Sequence, residues 1–203
     1  IDFQTSLDIF GGTGSVSYLL KTKGKKVTYN DQLKFNHLIG KSIIENMNTI
    51  VSESDIYFLT NRDRKFNYDN FIERTFSDIY FLDEENIWLD TICQNIPRIE
   101  NEYKRAIAYY ALFQSCIIKR PYNLFHRKNL YIRTANVKRG FGNKATWDKS
   151  FEAHFRTFIA EANSAVFDSS ISCQASCYNA LDVPGEYDLI YIDPPYISKK
   201  GVG

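Results

Sequence analysis

Over the first fifty residues the apolar positions switch between two spacings. Leu7, Ile9 and Phe10 form a short apolar run that ends in Gly11-Gly12-Thr13-Gly14, after which Val16, Tyr18, Leu19 and Leu20 fall on one helical face. Val27 to Tyr29 make a second apolar segment, closed by Asn30 and Asp31, and Phe35, Leu38, Ile39, Ile43, Met47 and Ile50 recur at helical intervals. The pattern predicts β-α-β-α, with a glycine turn between the first strand and the first helix.

The alternation returns late in the chain. Phe151, His154, Phe155, Phe158, Ile159 and Ala162 form a helix stripe, Ile171, Cys173 and Ala175 alternate as in a strand, and Leu189 to Ile192 read as a buried strand. That strand stops at Asp193-Pro194-Pro195-Tyr196, where two prolines allow neither ladder donors nor a helix. Between about residues 55 and 150 the pattern is mixed: one amphipathic helix carries Tyr103, Ile107, Tyr110, Phe113 and Ile117, and a basic, loop-like segment follows. The expected organisation is an α/β domain assembled from residues 1–54 and 150–203, with a mainly helical region inserted at 55–149.

Composition narrows the class without choosing a function. The chain has 203 residues, 44% of them apolar, enough for a core without covalent staples. Charged residues are 24% of the total and balance to +1, and no stretch approaches the roughly 18 apolar residues of a membrane span, so a soluble protein is expected. The opening IDFQTSLD has no basic region and no long apolar run of a secretory signal, and Cys93, Cys116, Cys173 and Cys177 are scattered, as in a reduced, cytoplasmic protein. No metal-ligand spacing is present. Residues 53–102 hold twelve acidic side chains against five basic ones, whereas 119–149 hold nine basic ones against Asp148 alone, which points to a polyanion partner.

The glycine turn argues against two cofactor classes. No lysine follows it as in a P-loop, and Ser17 stands where the dinucleotide fingerprint has its third glycine. Asp31, at the end of the second strand, is placed to accept the hydroxyls of a cofactor ribose. Asp193-Pro194-Pro195-Tyr196 offers a carboxylate, a proline carbonyl and an aromatic face, which suits a planar ring bearing an exocyclic amino group.

Phe10-Gly11-Gly12-Thr13-Gly14 resembles the F-x-G-x-G motif of S-adenosylmethionine-dependent amino-methyltransferases, and Asp193-Pro194-Pro195-Tyr196 resembles their D-P-P-Y motif. With the glycine motif first and 178 residues between Gly14 and Asp193, the chain is similar to the α group of adenine-N6 DNA methyltransferases, the Dam-like D12 class. The segments Leu124 to Tyr131 and Arg139-Gly140-Phe141-Gly142 are similar to that family's DNA-facing region. The resemblance implies a Rossmann-like sheet with an inserted target-recognition region, S-adenosylmethionine as cofactor and double-stranded DNA as partner. It also implies transfer of a methyl group to adenine N6 through base flipping, within a restriction-modification system.

Residue roles follow from that resemblance. Asp193, Pro194, Pro195 and Tyr196 would be catalytic, and Asp8, Phe10, Gly12, Gly14 and Asp31 would hold the cofactor. Asn179 stands where the family places an aspartate toward the cofactor adenine. Arg127, Lys128, Arg133, Lys138 and Arg139 would neutralise phosphates. The family's lysine-containing segment before the glycine motif and about three strands after D-P-P-Y are missing. The chain is therefore expected to be a piece of a longer protein or one half of a split enzyme, with a second chain or further segment completing its sheet. RNA adenine or cytosine N4 as substrate, and a non-catalytic DNA-binding subunit, stay open as alternatives.

Overall fold

The computed structural model describes residues 2–121, 128–136, 144–195, 197–198 and 201–202. They fall into two compact units, Ile1–Ile50 with Ala162–Gly203, and Val51–Glu161. Together they make a mixed α/β protein. Among the described residues no helix is long and apolar enough to cross a membrane.

The first unit opens with β1 (Thr5–Asp8), α1 (Ser15–Thr22), β2 (Lys26–Asn30) and α2 (Lys34–Gly40), which runs on as one π-helical turn over Lys41–Glu45. Val27 and Tyr29, both fully buried, alternate toward a core shared with Ile44 and Cys173. The helix stripe read as far as Ile50 ends earlier, because buried Lys21 on α1 donates to the carbonyls of Ile43 (3.0 Å) and Asn46 (2.7 Å). These carbonyls are thereby satisfied outside a helical ladder, and the Asn46 side chain bonds both the N–H and the carbonyl of Thr49.

The second unit is helical: α3 (Glu53–Thr60), α4 (Phe71–Phe76), α5 (Asp83–Asn95), α6 (Glu102–Ile118), α7 (Tyr131–Thr134), α8 (Lys144–Asp148) and the greater part of α9 (Phe151–Ala165). Ser52 and Asp55 form a capping box at α3, and Asn101 caps α6 by accepting from Tyr103 and Lys104. Asp90 on α5 caps α4 from a distance, accepting from the N–H groups of Ile72 (2.8 Å) and Glu73 (2.9 Å). Trp88 on α5 stacks on Phe151 at the start of α9 with ring centroids 5.4 Å apart.

The chain returns to the first unit with β3 (Gln174–Ser176), a 3-10 turn over Ala180–Asp182 and β4 (Leu189–Tyr191). β5 (Ile197–Ser198) and β6 (Gly201–Val202) form a separate antiparallel pair. The main sheet has four parallel strands in the order β3-β2-β1-β4, with Leu7 opposite Thr28 on one side and Ile190 on the other. Strand order reverses between β1 and β4, and open α/β sheets place ligands at the carboxyl ends of such a pair. The segment 189–192, read as a buried strand, is half exposed, with Ile190 48% and Ile192 64% accessible, because among the described residues β4 pairs only with β1.

Candidate active site

Four loops meet where the parallel strands end. After β1 the chain turns through Phe10 to Gly14, with Gly12 at φ +52° and Gly14 at φ +78°, left-handed conformations that favour glycine. The turn is closed by the Gly14 N–H donating to the Gly11 carbonyl (2.8 Å) and tied to β2 by the Gly11 N–H donating to the Asn30 carbonyl (2.8 Å). Tyr29 supports it from below. A Cβ on Gly11 would lie 2.2 Å from the Tyr29 ring and one on Gly40 only 2.4 Å from its other edge, so two glycines make room for one buried aromatic. The Tyr29 hydroxyl lies 2.7 Å from the Gly12 carbonyl and 2.9 Å from that of Asn36. Burial pushes its pKa upward, and it stays a donor.

Asp31 leaves β2 with its carboxylate already engaged. One oxygen accepts from the Gly12 N–H (2.9 Å) and the Asn36 amide (2.9 Å), and the other from the Leu33 N–H (2.8 Å). Asp8 ends β1 buried, accepting from the Ser17 hydroxyl at 2.7 Å. Burial raises the Asp8 pKa, the Ser17 hydrogen bonds pull it down without cancelling that effect, and the charges of Asp31 and Asp193 add to the rise.

A cleft of about 400 Å³ opens over these loop ends. Ile9, Phe10 and Gly12 line it from the first loop, Asn30 to Leu33 with Asn36 from the second, Tyr178 and Ala180 from the third, and Asp193 and Pro195 from the fourth. Two of the described lining residues are aspartates, and none is lysine, arginine or histidine. Such a wall attracts a cation and repels a polyphosphate.

A family model described as D12 class N6 adenine-specific DNA methyltransferase matches residues 2–202. The chain belongs to this family. It is also 30% identical over 203 residues to the Type II methyltransferase M2.HphI of Haemophilus parahaemolyticus, an alignment that covers 97% of this chain and 60% of that protein. The chain thus spans about 60% of the length of this relative. No solved structure matches it.

Within this D12-class chain the cleft brings together Phe10, Gly12, Asp31, Asp193 and Pro195. Gly14 is set back from the cleft as the residue capping α1, Asp8 is turned toward Ser17, and Pro194 is exposed beside Asp193. Asn179 is exposed, and its side-chain oxygen accepts from the Leu181 N–H at 3.0 Å, capping the short 3-10 turn. Tyr196, Arg127, Lys138 and Arg139 lie outside the described residues. Lys128 is exposed. Arg133 is not a surface cation: it is 8% exposed and donates through both terminal nitrogens to Glu85 at 2.7 Å, and Lys119, also buried, joins the same carboxylate. His154, on the apolar stripe of α9, is buried against the Thr146 carbonyl and lies in the other unit from the cleft.

Asn30 and Asn36 line the cleft and were not singled out in the sequence. The available signal was a polar residue ending an apolar strand directly before Asp31. Nothing local marks Asn36, since it reaches Asp31 only through the turn into α2.

Proposed function

We propose that this chain carries the cofactor cleft and amino-group motif of an enzyme that transfers a methyl group from S-adenosylmethionine to adenine N6 in double-stranded DNA, as part of a cytoplasmic restriction-modification system. The observation that carries the reading is the cleft at the β1/β4 switch point, whose described lining includes two aspartates and no lysine, joined to D-P-P-Y. Its volume, about 400 Å³, lies within the range of pockets that enclose a cofactor-sized molecule. When bound, S-adenosylmethionine supplies an electrophilic methyl group on a sulfonium centre.

The chain's own residues do the rest. The cofactor is a cation at that centre, and Asp8, Asp31 and Asp193 provide the matching field. Phe10 and the glycine turn hold its methionine end. Asp31 keeps accepting capacity for a ribose hydroxyl beside its bonds to Gly12, Leu33 and Asn36.

The amino nitrogen of adenine is a weak nucleophile because its lone pair is delocalised into the ring. The Asp193 carboxylate and the Pro194 carbonyl accept its two hydrogens, which localises that pair toward the methyl group. A base inside a duplex must first be extruded, at a cost of a few kcal/mol. Stacking on Tyr196 returns about 1–3 kcal/mol of that. The Rossmann-like sheet is the catalytic unit, the helical unit Val51–Glu161 reads the target, and Arg127, Lys128, Lys138 and Arg139 meet phosphates.

The test is transfer of a labelled methyl group from S-adenosylmethionine to unmethylated duplex DNA, by this chain and by a version extended past Gly203, with base analysis. Label in N6-methyladenine is expected, and Asp193→Ala should abolish it while DNA binding persists. Label in cytosine, label in RNA only, or an Asp193→Ala variant with wild-type rates would overturn the assignment.

A further inference from the structure

Asn30 is 1% exposed, and its side-chain amide is fully used. The nitrogen donates to the carbonyls of Ile9 (3.1 Å) and Tyr178 (3.1 Å), and the oxygen accepts from the Tyr178 N–H (2.9 Å) and the Ser176 hydroxyl (2.8 Å). An amide has two donor hydrogens and two acceptor lone pairs, so nothing is left over. The partners also fix its orientation, because two carbonyls stand on one side and an N–H on the other. Its backbone carbonyl takes the N–H of Gly11 as well.

Those partners belong to different loops. Ile9 begins the glycine turn after β1, Tyr178 lies in the loop after β3, and Asn30 ends β2 between them. Ile9, Asn30 and Tyr178 all line the cleft. We infer that Asn30 is a positioning residue which sets the separation of the first and third loops, and hence the width of the cofactor cleft, without itself doing chemistry. This rests on the cleft being the S-adenosylmethionine site.

Asn30→Asp keeps the shape and removes the donors. The new carboxylate would face two carbonyl oxygens and line the same cleft as the carboxylates of Asp31 and Asp193. Only its protonated form can donate to one of the carbonyls, so burial and these neighbours raise its pKa. The ionised form pushes the two loops apart, and cofactor affinity falls as pH rises. Because an ionised buried carboxylate also costs stability, affinity is read only where a thermal melt at the same pH shows the variant folded, and a residue needed only for folding would leave the affinity of that folded variant at the wild-type value.

The measurement is the dissociation constant of S-adenosylmethionine by calorimetry at pH 6 and pH 8, for the chain and for Asn30→Asp. Relative to wild type, the variant is expected to bind about tenfold or more weaker at pH 8, because a bridging pair of buried hydrogen bonds becomes a repulsion, and to regain most of that at pH 6. Ser176→Ala, which removes one partner of the amide oxygen, is expected to weaken binding about threefold at both pH values. An Asn30→Asp variant that matches wild type, or is equally weakened at both pH values, overturns the role. If Asn30→Asp does not fold, Ser176→Ala decides, and wild-type affinity there overturns it. A wild-type chain that binds no S-adenosylmethionine refutes the cleft assignment itself and takes this inference with it.

Discussion

Replacing Gly40 by alanine sets two effects of opposite sign against each other. Gly40 has helical φ and ψ (−55°, −43°), and by propensity alone alanine there would stabilise the helix by about 1 kcal/mol. The added Cβ, however, would sit 2.4 Å from Cδ1 and 2.6 Å from Cε1 of Tyr29. The ring cannot retreat, since Gly11 is packed against its opposite edge and its hydroxyl is tied to Gly12 and Asn36. Overpacking a fixed core site costs about 1–3 kcal/mol, and with an overlap this deep the upper end applies, leaving a net loss of about 2 kcal/mol. Cys173, 2% exposed and in the same core cluster as Tyr29, reports the opening of this unit. Its maleimide labelling in mild urea, read by peptide mass, should accelerate about 30-fold, since each 1.4 kcal/mol is a factor of ten. In a Tyr29→Leu background the clash is gone, and Gly40→Ala should instead slow the labelling. Unchanged or slower labelling with Tyr29 intact would refute the packing account.

Further outcomes follow from the charges. Glu85 is the shared counter-ion of buried Lys119 and Arg133, and Glu85→Ala should destabilise the helical unit by about 3–5 kcal/mol in a melt followed by Trp88 and Trp147 fluorescence. Burial alone would raise the Glu85 pKa, but hydrogen bonds from Arg133 and Lys119 outweigh it and hold the group below its ordinary value. Its contribution is therefore complete above the unfolded-state pKa and is lost as acidification passes through the lower folded-state value, a sensitivity that Glu85→Gln should remove. The Asp8 pKa is raised, so its ionisation costs stability as pH climbs through the folded-state value. Asp8→Asn should accordingly stabilise the first unit at pH 8, by the same Cys173 labelling, while weakening S-adenosylmethionine binding. Lys128→Glu should weaken DNA binding and flatten its salt dependence by about one unit of slope or more, whereas Arg133→Ala should show first as a loss of thermal stability.

The parts legible in the sequence were those whose meaning is local. The glycine turn after β1, the break at Pro194 and Pro195, and the amphipathic stripes of α6 and α9 each depend on neighbours within a few positions. The parts that were not legible depend on distant partners. Lys119, Arg120 and Arg133 add to a basic stretch when counted along the chain, yet all three point inward, because Glu85 and the Tyr80 carbonyl arrive from α5 and the segment before it. The early end of the second helix depends on Lys21, 22 residues before Ile43. The engagement of Asp31 by Gly12 and Asn36 follows from the curvature of the glycine turn and of the turn into α2, which no spacing rule encodes.

The strand order carries a consequence for how the molecule is made. β1 pairs on one side with β2, which emerges soon after it, but on the other with β4, and the Gln4 N–H donates to the Asp188 carboxylate across 184 positions. During synthesis the glycine turn and its Tyr29 support exist early, while Asp193 has no strand to stand on until the chain has passed it. Val51–Glu161 is contiguous, so it can fold first and bring the ends of that long excursion within reach, which lowers the entropy of closing it. Contacts so remote in sequence form slowly. A lesion confined to the helical unit would then delay assembly of the cleft in the first unit, lengthening the time that the unpaired edge of β1 is open to the wrong partner.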